Sequence, residues 1–264
     1  MQATLLPYLA LLKISGADAA PFLQGQLTQN ALTLSDSQAL PALYCTREGR
    51  VKCNALFFKN AENFYLLLAD DLKEKIIADL KKYILRSKVF IEIESAKMFG
   101  IFENHERENL SVENNKIYLN ENRIIQIGGD FELNVELQNK WRFLEIISRR
   151  PWIFKNTSEL FTPQMMNFDS FAVDFKKGCY VGQEIIARTH YLGKAKRALF
   201  ILKSGATLNP LDFIFNENKE KIGQVLDSVF YNNFYFAAAV LNAESAPPFF
   251  TENGEKIENA SHGF

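Results

Sequence analysis

Lys176-Lys177-Gly178-Cys179-Tyr180-Val181-Gly182-Gln183-Glu184 sets one cysteine between two lysines and a Gly-Gln-Glu turn. A helix-like run, Ile185 to Arg188, follows directly. Thiolate is the reactive form of cysteine, and neighbouring ammonium groups and a helix N-terminus both favour it. The spacing therefore predicts a reactive thiol at Cys179, with Lys177 and Glu184 beside it. The alternative is a small cysteine packed in a core, the usual fate of a free thiol.

A cluster or metal ion is a different matter. Zinc and a [4Fe–4S] cluster each take about four ligands. The other cysteines, Cys45 and Cys53, have seven residues between them, and His105, His190 and His262 are scattered. No stable metal site is expected within the chain. A transient role for one thiol with a partner stays open. His190 lies eleven residues past Cys179 with no orienting third group in view, a weak signal for a Cys–His pair.

The elements that must position this motif follow from pattern. A chain of 264 residues with 47% apolar content predicts two or three small domains. Residues 8–15 read as a strand, followed by a helix capped by Ser15 or Asp18 with Pro21 in its first turn. Residues 42–46, 51–58 and 64–69 form a strand meander with a turn at 47–50. Leu72, Ile76, Ile77, Leu80, Tyr83 and Ile84 share one face of a helix over 71–86, with Asp70 or Asp71 as cap. Residues 89–94 alternate as a half-buried strand, so the fold class is α+β. The polar stretch 103–116 is a surface loop or weak hairpin. Residues 132–148 form a helix with Leu137, Trp141, Leu144, Ile146 and Ile147 near one face. Trp141 there is either core or a stacking platform for a flat heterocycle. From residue 199 short evenly spaced β runs, at 199–202, 211–215, 222–226 and 234–241, predict a small antiparallel barrel.

Charge is uneven. The net value is −1, yet residues 171–200 hold six Lys/Arg against Asp174 and Glu184. Such a segment suits an anionic ligand, or is a solvated face. Three cysteines and an N-terminus without a basic start or long apolar run indicate a reducing compartment, the cytoplasm. The longest apolar runs, Tyr65 to Ala69 and Phe234 to Leu241, are too short to span a bilayer, and no membrane partner is expected.

The Lys-Gly-Cys-Tyr-x-Gly-Gln-Glu motif, with Ala187-Arg188-Thr189 and Leu192-Gly193-Lys194 after it, resembles the signature of the YgfZ family. These are folate-binding proteins related to the glycine-cleavage T-protein and linked to iron–sulfur cluster maintenance and tRNA modification. The likeness continues in Ser15-Gly16-Ala17-Asp18 with Phe22 to Thr28, in Arg47-Glu48-Gly49-Arg50, in Trp141, in Arg149-Arg150-Pro151 and in Phe161-Thr162-Pro163-Gln164 with Asn167. It implies a three-domain, T-protein-like arrangement around a central opening, with a C-terminal antiparallel β-barrel. The implied domains are residues 1–45 plus 130–195, which bind folate, then 46–129, then 196–264. The implied cofactor is tetrahydrofolate or a one-carbon derivative.

On this resemblance Cys179 is the functional thiol, and Lys177 holds it as thiolate and attracts the folate's glutamate tail. Gln183, Glu184 and Arg188 orient the loop or ligand, with Tyr180 beside them, and Trp141 and Gln164 line the pocket. Leu9 stands where family members often carry a folate-site tryptophan, with Tyr8 beside it, and Ser148-Arg149-Arg150 replaces a Gly-x-Pro turn. The implied function is support of iron–sulfur enzymes, tRNA-modifying ones included, by a monomer meeting those clients transiently without a stable nucleic-acid complex. The alternatives are a folate-dependent aminomethyl or methyl transferase, against which stands the lack of a match to the T-protein's catalytic aspartate segment, and a tRNA-binding module using the basic segment.

Overall fold

The computed structural model describes residues 1–193 and 195–261, so Lys194 of the basic segment and His262 lie outside the described residues. The chain opens with β1 (Gln2–Leu5), β2 (Leu9–Ser15), α1 (Ala19–Gln26) and β3 (Leu40–Cys45). Next come β4 (Val51–Asn60), β5 (Asn63–Ala69), α2 (Lys73–Lys81) and β6 (Phe90–Glu94). The strands β7 (Met98–Phe102), β8 (Ser111–Glu113), β9 (Lys116–Asn120) and β10 (Arg123–Ile127) precede α3 (Leu137–Ile147), α4 (Asp169–Ala172) and α5 (Gln183–Leu192). The last stretch holds β11 (Arg197–Ser204), β12 (Phe213–Phe215), β13 (Lys221–Tyr231), β14 (Phe234–Asn242), β15 (Phe249–Phe250) and β16 (Lys256–Asn259).

These strands make two five-stranded sheets, in the orders β1-β7-β10-β9-β8 and β3-β4-β5-β2-β6, and a closed antiparallel barrel, β11-β14-β13-β12-β15-β16. Strand pairing runs straight across the boundary expected at residues 45/46. The tight turn at 46–50 folds β4 back onto β3, and β2 pairs with both β5 and β6. No helix among the described residues is long and apolar enough to cross a membrane.

Period-two alternation explains the layering. In β2, Leu12 and Ile14 join one core with Phe22 and Leu23 of α1 and Ile76, Ile77 and Leu80 of α2. Leu9 and Leu11 face the opposite way, into a second core with Met98, Ile117, Ile125, Trp141 and Trp152. The second sheet thus lies between a helical layer and the first sheet with α3, which is why β4 is buried on both faces from Ala55 to Phe58.

The barrel follows the same rule. Leu202, Ile214, Val225, Ala237, Ala239 and Leu241 fill its interior. Leu199, Ile201, Leu226, Phe236, Ala238 and Val240 of its outer surface belong to the main core. A bulge between Val225 and Asp227 pairs Asp227 with Ala238, an outward position, so consecutive residues Leu226 and Asp227 both face the body. Bulges re-aim side chains in this way.

Helix boundaries depart from the pattern. The helix expected over 71–86 is a 3-10 turn at Asp70–Leu72 followed by α2, which stops at Lys81. Its core contacts end at Leu80, and i→i+3 bonds to Leu80 and Lys81 tighten the last turn. Neither Asp70 nor Asp71 caps it. Asp70 takes Lys73 at 2.6 Å and Asp71 accepts from the Lys155 N–H at 3.0 Å. Asp18 holds the N-cap position of α1, but its carboxylate accepts from the Lys88 N–H at 2.7 Å. The helix expected from residue 132 begins at Leu137, because Leu133 bridges to Ala3 at the edge of β1.

Gly100 in β7 faces Trp141 so closely that an added Cβ would sit 2.6 Å from the indole. Gly100→Ala should therefore cost about 1–3 kcal/mol through overpacking, read as a lower urea midpoint at unchanged slope. An unchanged midpoint would mean the indole has room to move.

Candidate functional site

The Cys179 motif lies in a loop held at both ends. On one side Val181 donates to Gly25 O at 3.2 Å. On the other, Gly182 precedes α5 with φ +85, where an added Cβ would meet Thr46 O at 2.4 Å. Gly49 sits under Ile185 and Ile186, so the Arg47–Arg50 turn and the cysteine motif, far apart in sequence, form one surface. Gln164 fastens it, its Nε2 donating to Ile186 O at 2.9 Å. A positive φ and a backbone clash together predict that Gly182→Ala loses about 2 kcal/mol or more and shifts the start of α5. Thiol labelling of Cys179 in native buffer reports that shift, and an unchanged labelling rate would refute it.

Cys179 is exposed, as are Glu184 and Arg188. Gln183 is half-buried in the first turn of α5. Tyr180 is buried, and burial pushes its phenol pKa up. Lys177 departs from expectation. It is 7% exposed and its ammonium donates to Gln24 O, Leu27 O and Gln29 O at 2.8, 2.6 and 2.7 Å. An ammonium has three donors, so none remains for a Cys179 thiolate or a glutamate tail. Lys177 anchors the loop to the C-terminal end of α1 instead. Burial pulls its pKa down to about 8, partly opposed by Asp174.

The other two thiols are core residues. Burial pushes Cys45 well up and Cys53 to about 12. Among the described residues no group of His, Cys, Asp and Glu is arranged to hold a metal ion. His190 stacks on Phe175 at 3.8 Å, with Nδ1 at 3.6 Å from Asp169 Oδ2.

The residues expected around folate do not form one pocket. Trp141 is 0% exposed, sealed by Gly100 and Phe102, and offers no stacking face to a ligand. Leu9 is buried in the same core. Gln164, Gln183, Tyr180 and Arg188 lie with α5.

A partly open cavity of about 70 Å³ lies elsewhere, among β3, β4, β9, β10, the end of α3 and the 168–172 segment. Its walls include Leu43, Leu56, Ile125, Trp152, Phe168 and Phe171. Its polar lining comes from Asn54, Glu145, Ser148, Arg123 and Arg150. Asn54 is a fixed wall, donating to Pro151 O at 3.0 Å and accepting from the Ile153 N–H at 2.8 Å. Glu145 accepts from Tyr8 Oη at 3.0 Å, Trp141 Nε1 at 3.1 Å, Trp152 Nε1 at 2.8 Å and Arg142 at 2.8 Å. Arg142 then reaches Asp227 of the barrel at 2.5 and 2.7 Å.

Two of these residues sit in the Ser148-Arg149-Arg150 run. Arg149 has φ +57, the left-handed region glycine favours, and its guanidinium donates to Leu199 O and Ser261 O on the barrel. Arg150 faces the cavity and stacks on Phe171 at 5.4 Å. No motif in the sequence marks Trp152, Arg123 or Glu145 as cavity residues. Glu145 carried a signal all the same, a carboxylate one helical turn from Trp141 on the buried face.

Comparison with known proteins gives the lineage. A scan against protein-family models finds no match. An uncharacterized protein of Haemophilus influenzae is 29% identical over 243 residues, covering 88% of this chain and 86% of that protein. The tRNA-modifying protein YgfZ of Escherichia coli O157:H7 is 30% identical over 258 residues, covering 83% of this chain and 78% of the relative. Among solved structures, the glycine cleavage system aminomethyltransferase T of Bartonella henselae superimposes with a TM-score of 0.70 at 13% identity, covering 97% of this chain and 83% of that one. The fold is therefore that of the T-protein, with its C-terminal barrel, and the identity over most of both lengths establishes that the chain belongs to the YgfZ family.

Proposed function

We propose that this chain binds tetrahydrofolate or a one-carbon derivative in the Trp152 cavity and serves tRNA modification by supporting iron–sulfur enzymes through Cys179. The observation that carries the reading is the cavity itself. It is small and partly open, apolar and aromatic on most sides, with a few fixed polar groups, the lining a flat ligand would need. Trp152, Phe168 and Phe171 would flank a flat heterocycle, and Arg123, whose Nη1 is buried with no partner among the described residues, supplies a donor awaiting an acceptor. A bound folate would supply one-carbon carrier chemistry. The chain's own part is to hold the ring away from water and to present the exposed thiol, with Arg188 and Lys176 in solvent nearby in sequence, to a client in the reducing cytoplasm. The family membership supports the tRNA-modification part of this reading.

Titration with tetrahydrofolate, followed by tryptophan fluorescence and calorimetry, tests the ligand. Saturable quenching should disappear in Trp152→Phe and persist in Trp141→Phe. Absence of calorimetric binding to the wild type would refute it. For the thiol, cells lacking the protein should regain iron–sulfur-dependent tRNA modifications with the wild type and not with Cys179→Ser. Equal rescue would remove Cys179 from the mechanism.

A further inference from the structure

Two arginines border this cavity. Arg123 is 6% exposed; its Nη2 donates to Ser148 Oγ at 3.3 Å, and its Nη1 is buried without a partner among the described residues. Arg150 reaches the same cavity from its more exposed rim, packed on Phe171. No ion pair involves either guanidinium among the described residues. Burial pushes the pKa of Arg123 down, the Glu145 charge works against that, and the Arg150 charge adds to the fall. Burial also lowers Arg150. The charge of the exposed Arg150 thus reaches the buried Arg123. Glu145 faces the cavity as well, but both its oxygens are already taken by Tyr8, the two indoles and Arg142. A buried guanidinium with an open donor is costly unless something else completes it.

We propose that Arg123, held by Ser148, and Arg150 form a carboxylate clamp at the rim of the cavity, and that it grips the glutamate carboxylate of the bound folate. This rests on the folate reading above. Three arguments select a carboxylate joined to a larger ligand. Guanidinium is planar and matches a carboxylate through two parallel N–H donors. The clamp borders apolar walls of Trp152, Phe171 and Leu43, which a free inorganic anion would leave empty. Arg150 stands at the solvent side, where a glutamate tail must leave the cavity while the ring stays inside. The run that replaces a Gly-x-Pro turn thereby contributes part of the site.

The test pairs one ligand change with one residue change, using calorimetry on the full chain. The ligands are tetrahydrofolate and its α,γ-diamide, equal in shape but neutral at the tail. The variants are Arg150→Met, which keeps an apolar stem on Phe171, and Arg123→Met. The wild type should bind tetrahydrofolate about 10- to 100-fold more tightly than the diamide, as for a charge-assisted pair. Arg150→Met should lose that preference while its affinity for the diamide changes less than about twofold, the mark of a direct pairwise contact. Raising salt should narrow the wild-type preference. Equal affinity of the wild type for both ligands would overturn the clamp and leave the cavity reading standing. Equal loss of both ligands in Arg150→Met would move the arginine to the ring and overturn it too. Binding of neither ligand to the wild type would remove the folate reading, and the clamp with it. Arg150→Met carries the decision if Arg123→Met fails to fold.

Discussion

Glu145→Ala should lower the unfolding free energy by about 3–5 kcal/mol, the loss expected when one partner of a buried ion pair is removed. The carboxylate is the point where four donors from separate parts of the chain meet: Tyr8 between β1 and β2, Trp141 and Arg142 on α3, and Trp152 beyond its end. Without it two indole N–H groups, a phenol and one arm of a guanidinium lose their acceptor in a dry interior. Burial and the Glu145 charge together hold the Tyr8 phenol well above the usual range, so it serves only as a proton-bearing donor.

The effect should reach the barrel. Arg142 stacks on Tyr8 at 4.8 Å and Phe154 at 5.2 Å, and its other side makes the two-pronged contact with Asp227. Glu145→Gln keeps the shape and an oxygen for the indoles but turns an N–H₂ toward Arg142, so it should retain less than half of the lost stability. Urea unfolding followed by far-UV circular dichroism checks both variants. Losses below about 1 kcal/mol in both would show that water or a shifted partner replaces the carboxylate.

The second sheet and the barrel were legible because their signals are local and periodic, whereas the first sheet was not, its β8 and β9 lying in and beside a polar stretch that reads as a surface loop. Alternation in β2, the meander around the turn at 47–50 and the evenly spaced β runs after residue 199 each lead to the observed strands. The resemblance to the YgfZ family added the T-protein arrangement. The site was less legible, because it depends on which face of an element turns inward and what meets it there. Trp141 in the middle of α3 and Trp152 just beyond its end are both buried tryptophans, yet a glycine on β7 seals the first while the second borders open space. Lys177 sits two residues from Cys179, yet its side chain turns to carbonyls nearly 150 residues away in the chain. Asp227 lies in a strand whose alternation would send it into the barrel, and a bulge turns it outward to Arg142. None of these choices leaves a trace in spacing or composition. They are made by backbone irregularity and by partners distant in sequence, as burial of an unusual polar group requires.

Lys177→Met should cost about 3 kcal/mol, since three carbonyls at and just beyond the buried C-terminal end of α1 each lose a donor and partial relaxation returns only some of that. Helix geometry leaves the Gln24 and Leu27 oxygens unpaired, and the ammonium caps them together with Gln29 O. Hydrogen exchange in residues 176–182 should quicken in the variant, because the anchor between loop and helix is gone, while exchange in the barrel stays as it was. The pH dependence gives a sharper check. A free lysine titrates near 10.4, and burial brings Lys177 to about 8. Between those values the unfolded chain holds the proton and the folded chain has released it. Unfolding free energy then rises with pH through that window by linkage, a gain that Lys177→Met lacks. The stability gap between wild type and variant should therefore widen between about pH 7.5 and pH 10. A gap that narrows would mean the three carbonyls hold the proton more strongly than burial expels it, with the folded pKa above the free value. The side chain would then be an ammonium cap at every working pH, and desolvation would not govern this site.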